Sequence, residues 1–176
     1  MNILKSATLL AILASAALVA CSSDKTGDCP TITGITDASV ATVFKPGSMP
    51  DPSNVLFTLE LTSVSGKCDM GKKERSADAS LEVDFLATRP PSGAEAHYTF
   101  PYFVAVTEGS ERILVKRIYS VGIAFEAGQT TATVTDTIDS TRLVVAKGKH
   151  PYDYQILAGL QLSKSQLAYN RQHYGP

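Results

Sequence analysis

"NVLFTLELTSV", residues 54–64, is the stretch on which the fold turns. Val55, Phe57, Leu59 and Leu61 recur at every second position, while Thr58, Glu60 and Thr62 fill the gaps. Successive side chains of an extended chain point to opposite faces, so this pattern reads as a strand with one buried and one wetted face. A helix would instead need apolar residues three and four apart. The alternation returns in "SLEVDFLAT", residues 80–88, where Leu81, Val83, Phe85 and Ala87 oppose Glu82, Asp84 and Thr88.

Further strand signals lie on both sides. Residues 31–44 make one or two strands, "HYTFPYFVAVT" ends in a buried-looking run, and "TTATVTDTI" reads as a more exposed strand. "YDYQILAGLQL" alternates again, with Tyr152, Tyr154, Ile156, Ala158, Leu160 and Leu162 on one side. Pro101 has no N–H to give to a ladder, which predicts an edge, a bulge or a strand start there. "ERILVKRIYSVGIAFEAG" is long for one flat strand, and Gly122 is the expected bend or bulge within it. Turn-rich stretches such as "FKPGSMPDPSN", "MGKKERSAD", "RPPSGAEA" and "EAGQ" separate these runs. About seven to nine strands without alternating helices argue for an all-β sandwich or barrel rather than an α/β fold, and an immunoglobulin-like β-sandwich is the architecture expected. The likeness is to the architecture alone: tryptophan is absent, and Cys29 and Cys68 are not spaced as the usual pair between sheets. One short C-terminal helix is expected at "LSKSQLAYNR". Ser163 followed by Gln166 has capping-box form, Leu167 would face the sheet, and about two turns must pack on the domain to persist.

At the other end, Lys5 precedes the apolar run "ATLLAILASAALVA", and the chain turns polar at Cys21. This is the anatomy of a secretory signal. The run is too short to span a bilayer as a helix, which takes roughly 20 residues, and no basic stop-transfer cluster follows it. Leu18, Val19, Ala20 and Cys21 resemble the lipobox of bacterial lipoproteins. The resemblance implies cleavage before Cys21, diacylation of its thiol and acylation of the new amino group. Two or three acyl chains then hold a protein on a bilayer, because each buried CH₂ contributes roughly 0.8 kcal/mol. Ser22 in the next position resembles the pattern sorted to the outer membrane. The expected organisation is a signal at 1–20, a lipidated polar tether at 21–28 and a single domain at 29–176.

Export places Cys29 and Cys68 in an oxidising compartment, where a disulfide between them is expected; two free thiols are the alternative. A metal site needs more ligands than two distant thiols, and none stands nearby. The net charge of −1 calls for no nucleic acid or strongly charged partner.

Candidates for chemistry are few. His97 and Glu95, two residues apart, would share a strand face, but two groups do not make a metal site. His150 precedes Pro151 at a turn with Asp153 near, and His173 lies close to the C-terminus. Asp136 with Asp139, and Glu82 with Asp84, are possible paired acids, for which an outward polar face is the simpler reading. No P-loop, dinucleotide fingerprint, EF-hand, CxxC or G-x-S-x-G occurs. No catalytic residue, metal or cofactor is therefore assigned, and the chain is read as a non-enzyme. Tyrosine supplies large contact area with a polar tip. Tyr98, Tyr102, Tyr152 and Tyr154 are the residues expected at a partner surface, with Phe103 expected in the core.

"GLQLSKSQLAYNRQ", residues 159–172, and "FPYFVAV", residues 100–106, resemble a group of small alphaproteobacterial lipoproteins. That resemblance implies a cell-envelope setting and supplies no activity. The function expected is a lipid-anchored structural or assembly component on the periplasmic side of the outer membrane, in contact with another envelope protein. A binding module for an envelope ligand such as glycan is the alternative. The terminal helix is expected to cap an open end of the sandwich; the alternative is a docking element.

Overall fold

In the computed structural model both alternating stretches become central strands of one sheet. The structure describes residues 29–71, 75–91, 93–110 and 112–174; the signal, Cys21 and the tether to residue 28 lie outside the described residues. Eight strands follow in chain order: β1 (Thr31–Gly34), β2 (Val40–Phe44), β3 (Val55–Met70), β4 (Ser76–Thr88), β5 (Ala96–Glu108), β6 (Arg112–Phe125), β7 (Thr131–Val144) and β8 (Tyr154–Leu160). Among the described residues one α-helix, α1 (Lys164–His173), follows the strands. Two four-stranded sheets form, ordered β2-β3-β4-β7 and β1-β8-β5-β6. The protein is an all-β sandwich with a short C-terminal helix. Its likeness to the immunoglobulin sandwich is one of architecture, because that fold orders its strands ABED and CFG, whereas here β4 pairs with β7 and β5 with β8.

The core is what the period of two dictates. Phe57, Leu59 and Leu61 of β3 and Leu81, Val83, Phe85 and Ala87 of β4 are buried, and Tyr102, Val104, Val106, Ile123 and Phe125 meet them from the other sheet. A bulge between Leu61 and Ser63 shifts the pairing of β3 with β4 by one residue. After it the inward positions change from odd to even numbers, so Val64, Cys68 and Met70 continue the same face. One extra residue in one strand does this to every side chain beyond it.

Residues 31–44 divide into two strands in different sheets, separated by a 3₁₀ turn at Thr36–Ala38. β1 runs parallel to β8, beginning at Thr31 opposite Gln155. Pro101 lies inside β5, and its place there has a simple reason. A strand residue presents its N–H and C=O to the same side, and the Pro101 carbonyl accepts from the Gln161 amide at 2.9 Å. The missing N–H thus faces the flank where β8 has already ended, beyond the pair Tyr102–Leu160. Gly122 is not a bulge: it pairs in register with Thr99, and the irregularity in this hairpin falls at Val106 and Thr107 instead.

Helix α1 begins as the capping box requires. Gln166 N–H donates to Ser163 Oγ at 3.2 Å, and Ser163 N–H donates to Gln166 Oε1 at 2.9 Å. The helix covers the free flank of β2. Asn170 Nδ2 donates to the Val40 carbonyl at 2.6 Å and Gln166 Nε2 to the Thr42 carbonyl at 3.5 Å. Residues four apart on a helix rise about 6 Å and residues two apart on a strand about 6.6 Å, so the two side chains match successive outward carbonyls. An edge strand left bare would be a template for pairing with another chain.

Candidate functional site

Cys29 and Cys68 form a disulfide, with Cα atoms 6.2 Å apart. It ties the residue two positions before β1 to β3. The register extends this end of the molecule sideways: Thr31 lies opposite Gln155, Gln155 opposite Thr107, and Thr107 opposite Ile113. The start of β1 and the start of β6 therefore belong to the same end of one sheet. Three strand spacings separate them, about 14 Å.

The four tyrosines do not make one surface. Tyr102 is 0% exposed, and its ring packs edge-on to Phe85 at 5.2 Å and stacks with Tyr119 at 5.5 Å. Its hydroxyl donates to Asp136 Oδ2 at 2.7 Å; burial, with the carboxylate beside it, pushes its ionisation well above the ordinary tyrosine range. Tyr154 is also buried, and its hydroxyl accepts from the Ala146 amide at 3.0 Å. Tyr98 is partly buried and stacks on Phe57 at 4.7 Å. Only Tyr152 is largely exposed, at 54%, with its ring parallel to that of His150 at 4.9 Å. Phe103 is displaced in the opposite sense. Its odd position puts it on the outer face, partly exposed, with the Lys116 ammonium 3.9 Å from its ring centre. The signal was present in the pattern: Tyr98, Phe100, Tyr102, Val104 and Val106 share one face by parity, as do Tyr154 and Ile156.

Glu95 and His97 do meet, with Nε2 2.7 Å from Oε1, but both side chains are about two-thirds exposed, at 66% and 68%, which makes this a surface contact of small energetic weight. His150 opens the 3₁₀ turn Pro151–Asp153, where its amide donates to Asp153 Oδ2 at 2.8 Å. His173 lies at the end of α1, against the Tyr169 ring. Asp84 accepts from Thr135 Oγ1 at 2.6 Å, and Asp136 accepts from the Tyr102 hydroxyl. No group of three metal-ligating side chains occurs among the described residues.

Two surface features went unread in the sequence. The first half of β6 is open to solvent on both faces, leaving Ile113 63% and Ile118 55% exposed, with Leu114 and Val115 also exposed. Ile113, Leu114 and Val115 run together between Arg112 and the pair Lys116 and Arg117, which breaks the period of two and hides the strand's exposure. Beside it, the loop after β7 and Arg75 line a cleft of about 330 Å³ formed with residues 145–150. Glu108 binds Arg112 at 3.0 Å and Lys149 at 3.2 Å, and its carboxylate holds the Lys149 ammonium above its ordinary range. Comparison with known protein families, curated proteins and solved structures finds no match to this chain.

Proposed function

We propose that this is a lipid-anchored cell-envelope protein, held by acylated Cys21 on the periplasmic side of the outer membrane. It works without catalysis, as a structural or assembly component that binds another envelope protein. Cysteine arithmetic carries this reading. The chain has three cysteines, Cys29 and Cys68 take each other, and the third stands at the end of Leu18-Val19-Ala20 as a lipobox cysteine would. A disulfide also suits an exported chain. In-cell crosslinking of the tagged native protein, with mass spectrometry of what is captured, tests the role. A reproducible envelope partner that disappears in the mislocalised Cys21→Ser variant supports it; a folded, correctly localised protein that captures none refutes it.

One observation favours a second reading, a binding module for an envelope ligand such as glycan. The exposed Tyr152 ring stacks on His150, which lines the 330 Å³ cleft, and a flat exposed aromatic beside a polar cleft suits a sugar face. Under this reading Tyr152→Ala abolishes glycan binding without unfolding the domain.

A further inference from the structure

We propose that the start of β6 lies against the membrane that holds the anchor, with Ile113, Leu114 and Ile118 in the lipid interface and Lys116 and Arg117 at anionic headgroups. This inference rests on the acylation of Cys21. Seven residues lie between Cys21 and Cys29, and the eight steps from one to the other reach at most about 28 Å. The end of the sandwich bearing Cys29 is thus kept close to the bilayer, and the register places Ile113 at that same end. The loops at 45–54, 89–95 and 126–130 lie at the other end, because β2 finishes at Phe44 opposite Val55 and β5 starts at Ala96 opposite Phe125.

The chemistry of the segment suits that position. Ile118 pairs with Phe103 and Ile113 with Thr107 on the outer face of the sheet, so both isoleucines stand exposed there with Lys116 between them. Neither Lys116 nor Arg117 has an ion-pair partner among the described residues. Aliphatic side chains interleaved with long cations match an anionic lipid interface, where the stems bury and the charged heads stay among phosphates. A second copy fits less well. Pairing of two β6 edges would bring the cations of "RILVKRI" against one another, and charged residues on an edge oppose such pairing.

The chain contains no tryptophan, so a single introduced one reports alone. Ile113→Trp and Met49→Trp, the latter at the far end and 79% exposed, are made in the full acylated protein. Each is placed in vesicles of phosphatidylcholine and phosphatidylglycerol carrying brominated acyl chains. The expected result is blue-shifted emission and strong quenching for Ile113→Trp, and neither for Met49→Trp. Adding Lys116→Glu and Arg117→Glu to Ile113→Trp removes the quenching while the acyl chains still hold the protein on the vesicle. Acylated, vesicle-bound protein with both positions equally unquenched overturns this inference alone, and leaves the edge to a protein partner. A chain with no acyl mass on Cys21 overturns the anchor reading, and this inference with it.

Discussion

Tyr102→Phe isolates one buried polar contact. The substitution removes a single oxygen from a side chain that is fully enclosed, and leaves the ring contacts with Phe85 and Tyr119 in place. What is lost is the 2.7 Å hydrogen bond to Asp136. A hydrogen bond to a charged group contributes about 1.5–3 kcal/mol net. Asp136 is only partly buried, so water can replace some of what it loses, and the expected cost is the lower figure, about 1.5 kcal/mol. For a domain of about 150 residues that lowers Tm by roughly 5 °C. The pH dependence adds a second signature. Because the folded-state ionisation of Tyr102 is raised, the unfolded chain releases this proton first as pH climbs through about 10. The folded state then binds more protons than the unfolded one, so this stabilisation is fully present below pH 10 and is lost above it. Thermal melts by circular dichroism from pH 7 to 11 should show the variant less stable at pH 7 and less sensitive to alkali than wild type. A Tm within 1 °C of wild type, with an unchanged alkaline limb, would refute the reasoning.

Reducing the Cys29–Cys68 disulfide, which closes a separation of 39 residues, should lower stability by about 4 kcal/mol on the chain-entropy account; denaturant melts after verified reduction measure it. Truncation from Ser163 uncovers the β2 carbonyls and should both destabilise the domain and promote association, visible by light scattering; loss of a partner with stability intact would make α1 a docking element instead. Two glycines should behave oppositely. A Cβ on Gly66 would meet the Ser80 carbonyl oxygen and, at 2.9 Å, Ile32 Cδ1, so Gly66→Ala should cost about 1–3 kcal/mol. A Cβ on Gly122 meets nothing within 4 Å, so Gly122→Ala should leave stability unchanged or raise it by up to about 1 kcal/mol.

The strands that form the middle of the sandwich were legible because each has one wet face: in β3 and β4 the apolar parity alone names Leu59, Val83 and Phe85 as core. The helix was legible from Ser163 and Gln166, though it extends to His173, further than two turns. Pairing was another matter. Nothing local to Thr31–Gly34 says that this short strand runs parallel beside β8, since the partner lies more than a hundred residues away. The tyrosines were misplaced by chemistry that points both ways, a ring that can be buried and a hydroxyl that can be wet. Parity outweighs residue type in such a case, and it would have put Tyr102 inside and Phe103 outside. The solvent-open half of β6 follows from tertiary position, because Ile113 and Ile118 lie on the outer face of the last strand of their sheet.

Intact-mass and peptide mass spectrometry of the native protein from membranes tests the central claim most directly. The account predicts a mature chain that begins at Cys21 and carries diacylglyceryl and N-acyl mass, with Cys29 and Cys68 joined. A chain that keeps residues 1–20, or one that begins elsewhere with an unmodified Cys21, would contradict it.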